Sequence, residues 1–419
     1  MQKAATMTNR PSLALLIAIL LYASQLSAQE WTRFRGPNGS GLSDAQNIPA
    51  TWTEQDYNWK VELPAGGHSS PVLWGDKIFL TGADETTSKR MAFCLDTSGK
   101  LLWQQPFDFA PHKKHALNSF ATATPAVDDK HVYIVWSTPE EYTLLALNHA
   151  GKEVWRRNLG PYDSQHSCGS SPIVYENMVI LGNDQDGPSS LIALDRETGK
   201  TVWQVDRRSA NVAYSTPVVH ERTGEQPELI FNSGAHGITA VNPLSGETKW
   251  EVADLFDKRS VSSPVLAGGL IFGSCGSGGG GNYVVAVRPG GQQSKAEFAY
   301  KIDKSAPYVP TPIAKDDLIF FWSDQGVVTC AYAATGDIRW RERVGGNYFG
   351  SPIYIGDRLY CISTEGEVAV LSASDNYQMV GRNPLGELSH STPAVADGRL
   401  YLRTFTHLVS IGGEEAAGK

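Results

Sequence analysis

Cysteine is scarce: five residues in 419, at positions 94, 168, 275, 330 and 361, never closer than 31 apart. That excludes a disulfide scaffold, and with no C-x-x-C pair it excludes a zinc ribbon or a dithiol redox motif. Positive charge is also short. Lys plus Arg number 36 against 44 Asp plus Glu, a net charge of −8. A globally acidic chain argues against duplex nucleic acid or an anionic membrane as partner. Sustained 3.6-residue apolar periodicity is missing after residue 28, so a helical bundle is out. No G-x-S-x-G elbow or Ser-His-Asp order stands out. The glycine run Gly276–Gly281 fits G-x-G-x-x-G, but Asn282 to Val287 continues as a strand where a dinucleotide site needs a helix. His112 and His115 lack further ligands, so no metal site is expected.

What is present is apolar and turn-rich. Hydrophobic residues make up 41%, with 41 Gly, 23 Pro and 11 Trp, the composition of a folded globular protein. Lys3 and Arg10 precede an apolar run, Leu13 to Ala23, and Leu26-Ser27-Ala28 follows. The run is shorter than the ~20 residues a membrane span needs, so no transmembrane segment is expected. The order reads as a secretory signal peptide over 1–28, with no cysteine after it for lipid attachment. An exported protein follows, periplasmic or alternatively extracellular, with at least one unpaired thiol. The division is then an N-terminal extension over 29–56, a repeat domain over 57–411 and a polar tail over 412–419.

The repeat is a small residue, proline and an apolar residue. It recurs at Ser70-Pro71, Thr124-Pro125, Ser171-Pro172, Thr216-Pro217, Ser263-Pro264, Thr311-Pro312, Ser351-Pro352 and Thr392-Pro393. The spacings are 54, 47, 45, 47, 48, 40 and 41, the ~40–50 residues of a β-propeller blade. The third unit shows four short β runs: 171–175, 178–182, 191–195 and 201–205. Proline suits the innermost strand, an edge that lines the channel. A Trp stands four residues after a turn glycine at Trp103, Trp155, Trp203, Trp250 and Trp340, placed to wedge between neighbouring blades. In unit five Phe298 is expected to replace it, and unit seven is degenerate around Met379–Arg382. Unit eight lacks a fourth run, and Asn58–Leu63, with its own Trp59, supplies one. The N-terminal strand should therefore close the ring. The fold class is all-β, an eight-bladed propeller of four-stranded blades, with seven blades as the alternative. Trp31, outside the repeat, is expected to contribute far less stability than Trp203.

The stretch Ala193-Leu194-Asp195-Arg196-Glu197-Thr198-Gly199-Lys200-Thr201-Val202-Trp203 resembles the tryptophan-docking repeat of the PQQ-like propeller superfamily. The opening Trp31-Thr32-Arg33-Phe34-Arg35-Gly36-Pro37-Asn38-Gly39-Ser40-Gly41 is similar to the start of many exported PQQ-like proteins of environmental bacteria. The resemblance covers 57–411 and extends to two kinds of relative. Quinoprotein alcohol dehydrogenases hold PQQ and calcium, but their calcium ligands, catalytic Asp and neighbouring cysteines match nothing here. The outer-membrane β-barrel assembly lipoprotein is a non-catalytic scaffold of similar size.

The loops at one face surround the channel mouth. Before the prolines stand His68, His115 with Asn118, His166, Tyr214, Arg259, Tyr308, Tyr348 and His390. Second-to-third loops add Asp324, with Asp84, Asp184, His236 and Glu365 as further carboxylates and imidazoles. Aromatic, histidine and carboxylate groups converging on a funnel suit a small polar ligand such as a sugar; each can equally serve to pack loop on loop. His68 and His390 should sit side by side and repel once protonated, below about pH 6.5. The leading reading is a non-catalytic exported propeller, expected as a monomer, that binds a protein or small polar ligand without a cofactor. A PQQ-dependent oxidoreductase and a carbohydrate-binding or carbohydrate-active propeller are the alternatives.

Overall fold

The computed structural model describes residues 31–291 and 294–413; the signal-peptide reading lies outside them. Eight sheets arise from eight repeats. Blade three is Ile173–Tyr175, Met178–Asn183, Ser189–Asp195 and Thr201–Arg207, antiparallel throughout. Its two middle strands are buried along nearly their whole length, because neighbouring blades cover both faces; a sheet buried on both sides reads as a continuous apolar run. Its outer strand is exposed apart from Trp203 and partly covered positions. The ring closes as the sequence implies: Tyr57–Glu62 pairs antiparallel with His407–Gly412 as the outer strand of blade eight.

The residue before each repeated proline closes a second ring at the axis. Ser70 donates its backbone N–H to the hydroxyl of Thr124, Thr124 to Ser171, and so on through Thr216, Ser263, Thr311, Ser351 and Thr392. Thr392 then donates to Ser70. All eight bonds measure 2.9–3.2 Å. Each proline denies the following strand end an N–H, and the preceding N–H is the one that crosses to the next blade.

Every blade also carries a register shift between its third and fourth strands. Such a bulge re-aims the side chain beside it. The residue just past it faces a small partner, as in Cys94↔Trp103, Ala193↔Trp203 and Cys330↔Trp340. From there the indole reaches the next blade: Trp59 donates to Thr97 O, Trp103 to His149 O, Trp155 to Arg196 O, Trp203 to Pro243 O and Trp340 to Ser374 O, at 2.9–3.0 Å. The turn glycine of the receiving blade has two duties. Gly199 holds φ 67°, and a Cβ there would lie 2.7 Å from the Trp155 ring. Trp250 departs from the pattern, donating to Glu228 Oε1 at 3.2 Å while its ring lies on Gly290.

Unit five corrects one expectation. Phe298 is 50% exposed; Tyr300 occupies the docking place, opposite Ala286, and its hydroxyl donates to Ala333 O. Unit seven has Gly381 there, and Ala50 O and Thr51 lie over it. The N-terminal extension thus fills the place of the missing wedge.

The same extension overturns the expectation for Trp31, which is fully buried in the core shared by blades one, seven and eight. Residues 31–43 run through the central channel. Trp31 bridges Leu73, Thr32 O accepts Val127 N, and the Asn38 side-chain amide exchanges two hydrogen bonds with Val219 at 2.7 and 2.8 Å. Arg33 donates to Pro217 O and Arg35 to Pro352 O. Leu42–Ser43 pairs parallel with Tyr354 and Ile355. This plug ties blades one, two, four and seven together.

Candidate functional site

Above the plug the channel opens as a funnel of about 1000 Å³. The ring of pre-proline residues forms its neck, with all but Ser263 lining it, and Phe34 of the plug forms its floor. Loops entering the first strands build the wall, with second-to-third loops of blades five to seven contributing 277–278, 280–282, 323–325 and Thr364.

Nine of the ten residues singled out from the sequence line this funnel: His68, His115, Asn118, His166, Tyr214, Arg259, Tyr308, Asp324 and His390. Tyr348 does not. It is fully buried against Trp322, ring centroids 5.1 Å apart. Its neighbours Asn347 and Phe349 face the funnel instead, because adjacent residues of an extended segment point opposite ways. The other loop groups are engaged elsewhere. Asp84 binds its own turn at Thr86 and Thr87, Asp184 pairs with Arg207 at 2.8 Å, and His236 Nδ1 meets Glu251 at 2.7 Å.

Four histidines from consecutive loops form two ring pairs. His68 and His390 lie 4.3 Å apart between centroids, and Phe349 packs edge-on against His390. His115 and His166 lie 4.7 Å apart, with Tyr214 edge-on to His166. The loop carrying Leu117 links the pairs. His390 Nδ1 faces Leu117 O at 3.2 Å, and since a carbonyl only accepts, that nitrogen carries the hydrogen. Leu117 N donates to His115 Nδ1 at 3.2 Å, which fixes the opposite tautomer there. Arg259 reaches across to His166 Nε2 and Gln165 Oε1, both at 3.4 Å.

Burial pushes His68 down to about 2, with His390, Arg403 and Lys114 adding to the effect. Burial, then Arg259 and His115, pull His166 down to about 4. Burial lowers His390 as well. His68, His166 and His390 are therefore neutral near pH 7, and desolvation rather than mutual repulsion is the chief cause. Burial raises the Asp324 carboxyl even though it accepts the N–H groups of Tyr308 and Val309 at 2.6 and 3.0 Å. The five cysteines are all buried and unpaired, with burial pushing Cys94 and Cys330 up to about 12.

Sequence reasoning missed Phe34, Phe349 and Leu117. Phe34 sat in a segment placed outside the ring. Phe349 is one residue from the aromatic that was chosen.

PQQ chemistry of the alcohol dehydrogenase kind needs calcium, which takes roughly six to eight oxygen ligands with several carboxylates. The funnel offers Asp303 and Asp324, and Asp324 is already bonded to two amides. Among the described residues no three His, Cys, Asp or Glu side chains cluster as a metal site. This donor set does not fit a calcium ion.

A closed ring of eight four-stranded blades, docked by Trp or Tyr onto the next blade's turn, defines a PQQ-like β-propeller. Within that superfamily, the model of the family described as outer membrane protein assembly factor BamB matches residues 92–342 and 280–414, and the chain belongs to this family. It is similar to outer membrane protein assembly factor BamB of Burkholderia pseudomallei (strain K96243), 22% identical over 386 residues, covering 87% of this chain and 91% of that one. Among solved structures, BamB from Moraxella catarrhalis superposes with a TM-score of 0.61 at 16% identity, over 86% of this chain and 98% of that chain. Quinohemoprotein alcohol dehydrogenase from Comamonas testosteroni gives 0.64 at 12% identity, over 93% and 82%. At these identities the two structures share the fold with this chain, and a fold does not carry an activity.

Proposed function

We propose that the protein is an exported, non-catalytic scaffold that engages a partner protein through its loop face and funnel, working without a cofactor. The observation that carries this reading is the funnel itself. It is wide, burial weakens His68, His166 and His390 as bases, and its one deeply set carboxylate, Asp324, is spent on two backbone amides. The BamB family description supports assembly work beside an outer membrane, and a periplasmic location fits it. No helix among the described residues is long and apolar enough to cross a membrane. The acidic charge disfavours nucleic acid as the partner.

A photo-crosslinking residue at Leu117, 53% exposed on the funnel rim, should trap a discrete partner in the producing cell. The same probe at Leu101, 42% exposed on the outer strand of blade one, should not. Equal trapping at both positions would move the contact off the funnel. Purified protein titrated with PQQ and calcium should show neither a bound chromophore nor the ~2.7 kcal/mol of stabilisation that a ligand at 100 times its Kd confers; either result would restore the oxidoreductase reading.

A further inference from the structure

Several of the funnel's acceptors are in use, although the Asp303 carboxylate also lines it. Asp324 holds two backbone N–H groups. Asn118 Oδ1 accepts from Ser119 N and the Thr122 hydroxyl. Asn282 Oδ1 accepts Ser277 N at 3.1 Å, and Gln165 Oε1 faces Arg259. Its donors stand open. Each hydroxyl in the neck ring accepts one backbone N–H and can still donate its own hydrogen. The Arg259 guanidinium meets no carboxylate: it reaches His166 Nε2 and Gln165 Oε1 at 3.4 Å and the Tyr308 hydroxyl. Among the described residues it forms no ion pair, although a half-buried guanidinium fits a carboxylate fork to fork.

We infer that the funnel takes an acidic segment of a partner protein, whose carboxylate docks on the Arg259 guanidinium while further acceptor atoms meet the open hydroxyls of the neck. This rests on the scaffold reading and adds the chemistry of the partner. A sugar is uncharged and brings nothing to match the guanidinium fork. A phosphoryl group carries more charge than one set guanidinium matches, since Arg343 is the only other arginine of the lining. A cavity of about 1000 Å³ is large for a lone small acid, and Phe34, Phe349 and the His68–His390 pair offer apolar faces to the residues flanking the carboxylate.

The test uses fluorescence anisotropy with a labelled Gly/Ser decapeptide carrying a central Glu-Asp pair, and its Gln-Asn counterpart. The acidic peptide should bind at least about tenfold more tightly, the effect of one charge-assisted contact. Arg259→Gln should abolish that preference, and Arg259→Lys should keep part of it, because the charge stays and the fork is lost. Both variants should melt with the parent protein, and if Arg259→Gln does not, the lysine variant alone decides. Equal affinity for the two peptides, or an unchanged preference in both variants, overturns the inference. So does displacement of the acidic peptide by inorganic phosphate, or by a neutral oligosaccharide, at equal or lower concentration. If Leu117 traps a partner while the acidic peptide fails to bind, the carboxylate anchor falls and the scaffold stands.

Discussion

Replacing Trp31 by alanine tests whether the N-terminal segment is a structural plug or an appendage. The side chain has no exposed surface, and its ring is pressed against Gly36, where a Cβ would come within 2.4 Å of it. It packs in one core with Leu73, Leu80 and residues of blades seven and eight. Truncating a buried Trp costs ~3–5 kcal/mol. A fold of this size has an unfolding entropy of about 0.8 kcal/mol/K, from ~2.1 cal/mol/K per residue, so Tm should fall by about 4–6 °C. Trp203, 7% exposed and the model of an interblade wedge, should cost a similar amount. Differential scanning calorimetry of Trp31→Ala and Trp203→Ala beside the parent is the assay. If Trp31→Ala melts within about 1 °C of the parent while Trp203→Ala falls as stated, the segment contributes nothing to the ring and the plug is refuted.

Deleting the chain through Leu63 removes the outer strand of blade eight as well as the plug, and the unpaired edge of His407–Gly412 should drive aggregation, visible by size exclusion; a monodisperse product melting with the parent would refute closure by strand exchange. Tyr300→Ala should cost about 1–3 kcal/mol as a partly buried wedge whose hydroxyl bonds the next blade, whereas Phe298→Ala, half exposed, should stay within about 0.5 kcal/mol in a denaturant titration. Acid should destabilise the fold through His68. Its folded value of about 2 lies below the unfolded value near 6.5, so its contribution is complete above pH 6.5 and lost as the pH falls toward 2. Between pH 7 and pH 4.5 that is about 2–3 kcal/mol. His68→Gln should lose correspondingly less over this interval, and an identical pH dependence in the variant would contradict the burial argument.

The ring was readable because its marks recur in register. Eight prolines and six tryptophans each report one local event, an axial edge or a wedge, and repetition separates them from chance. The same logic failed where an event happens once. Residues 31–43 carry Gly, Pro and Asn outside the repeat and read as part of an N-terminal extension; their partners are the inner strands of four blades, which no local pattern names. In unit five the turn is lengthened around Gly290 and Gly291, so counting to the docking place stopped at Phe298, two residues short of the position that the bulge aims inward. Most of the funnel wall followed from proline spacing, yet one step of strand phase exchanged Tyr348 for Phe349. Which groups are neutral or already bonded depends on desolvation and on loops meeting across blades, and neither is written in spacing.

The hydroxyls of the neck ring alternate strictly between serine and threonine around the axis, and the last threonine donates to the first serine. A two-letter cycle of this kind can close without a defect only when the number of blades is even. Removing or adding a single blade would set two serines or two threonines against each other, whereas a change of two would leave the pattern whole. Parity is therefore built into the chain: the unit of the alternation is a pair of blades, and a propeller redesigned from this sequence to six or ten blades keeps the alternation that one of seven or nine must interrupt.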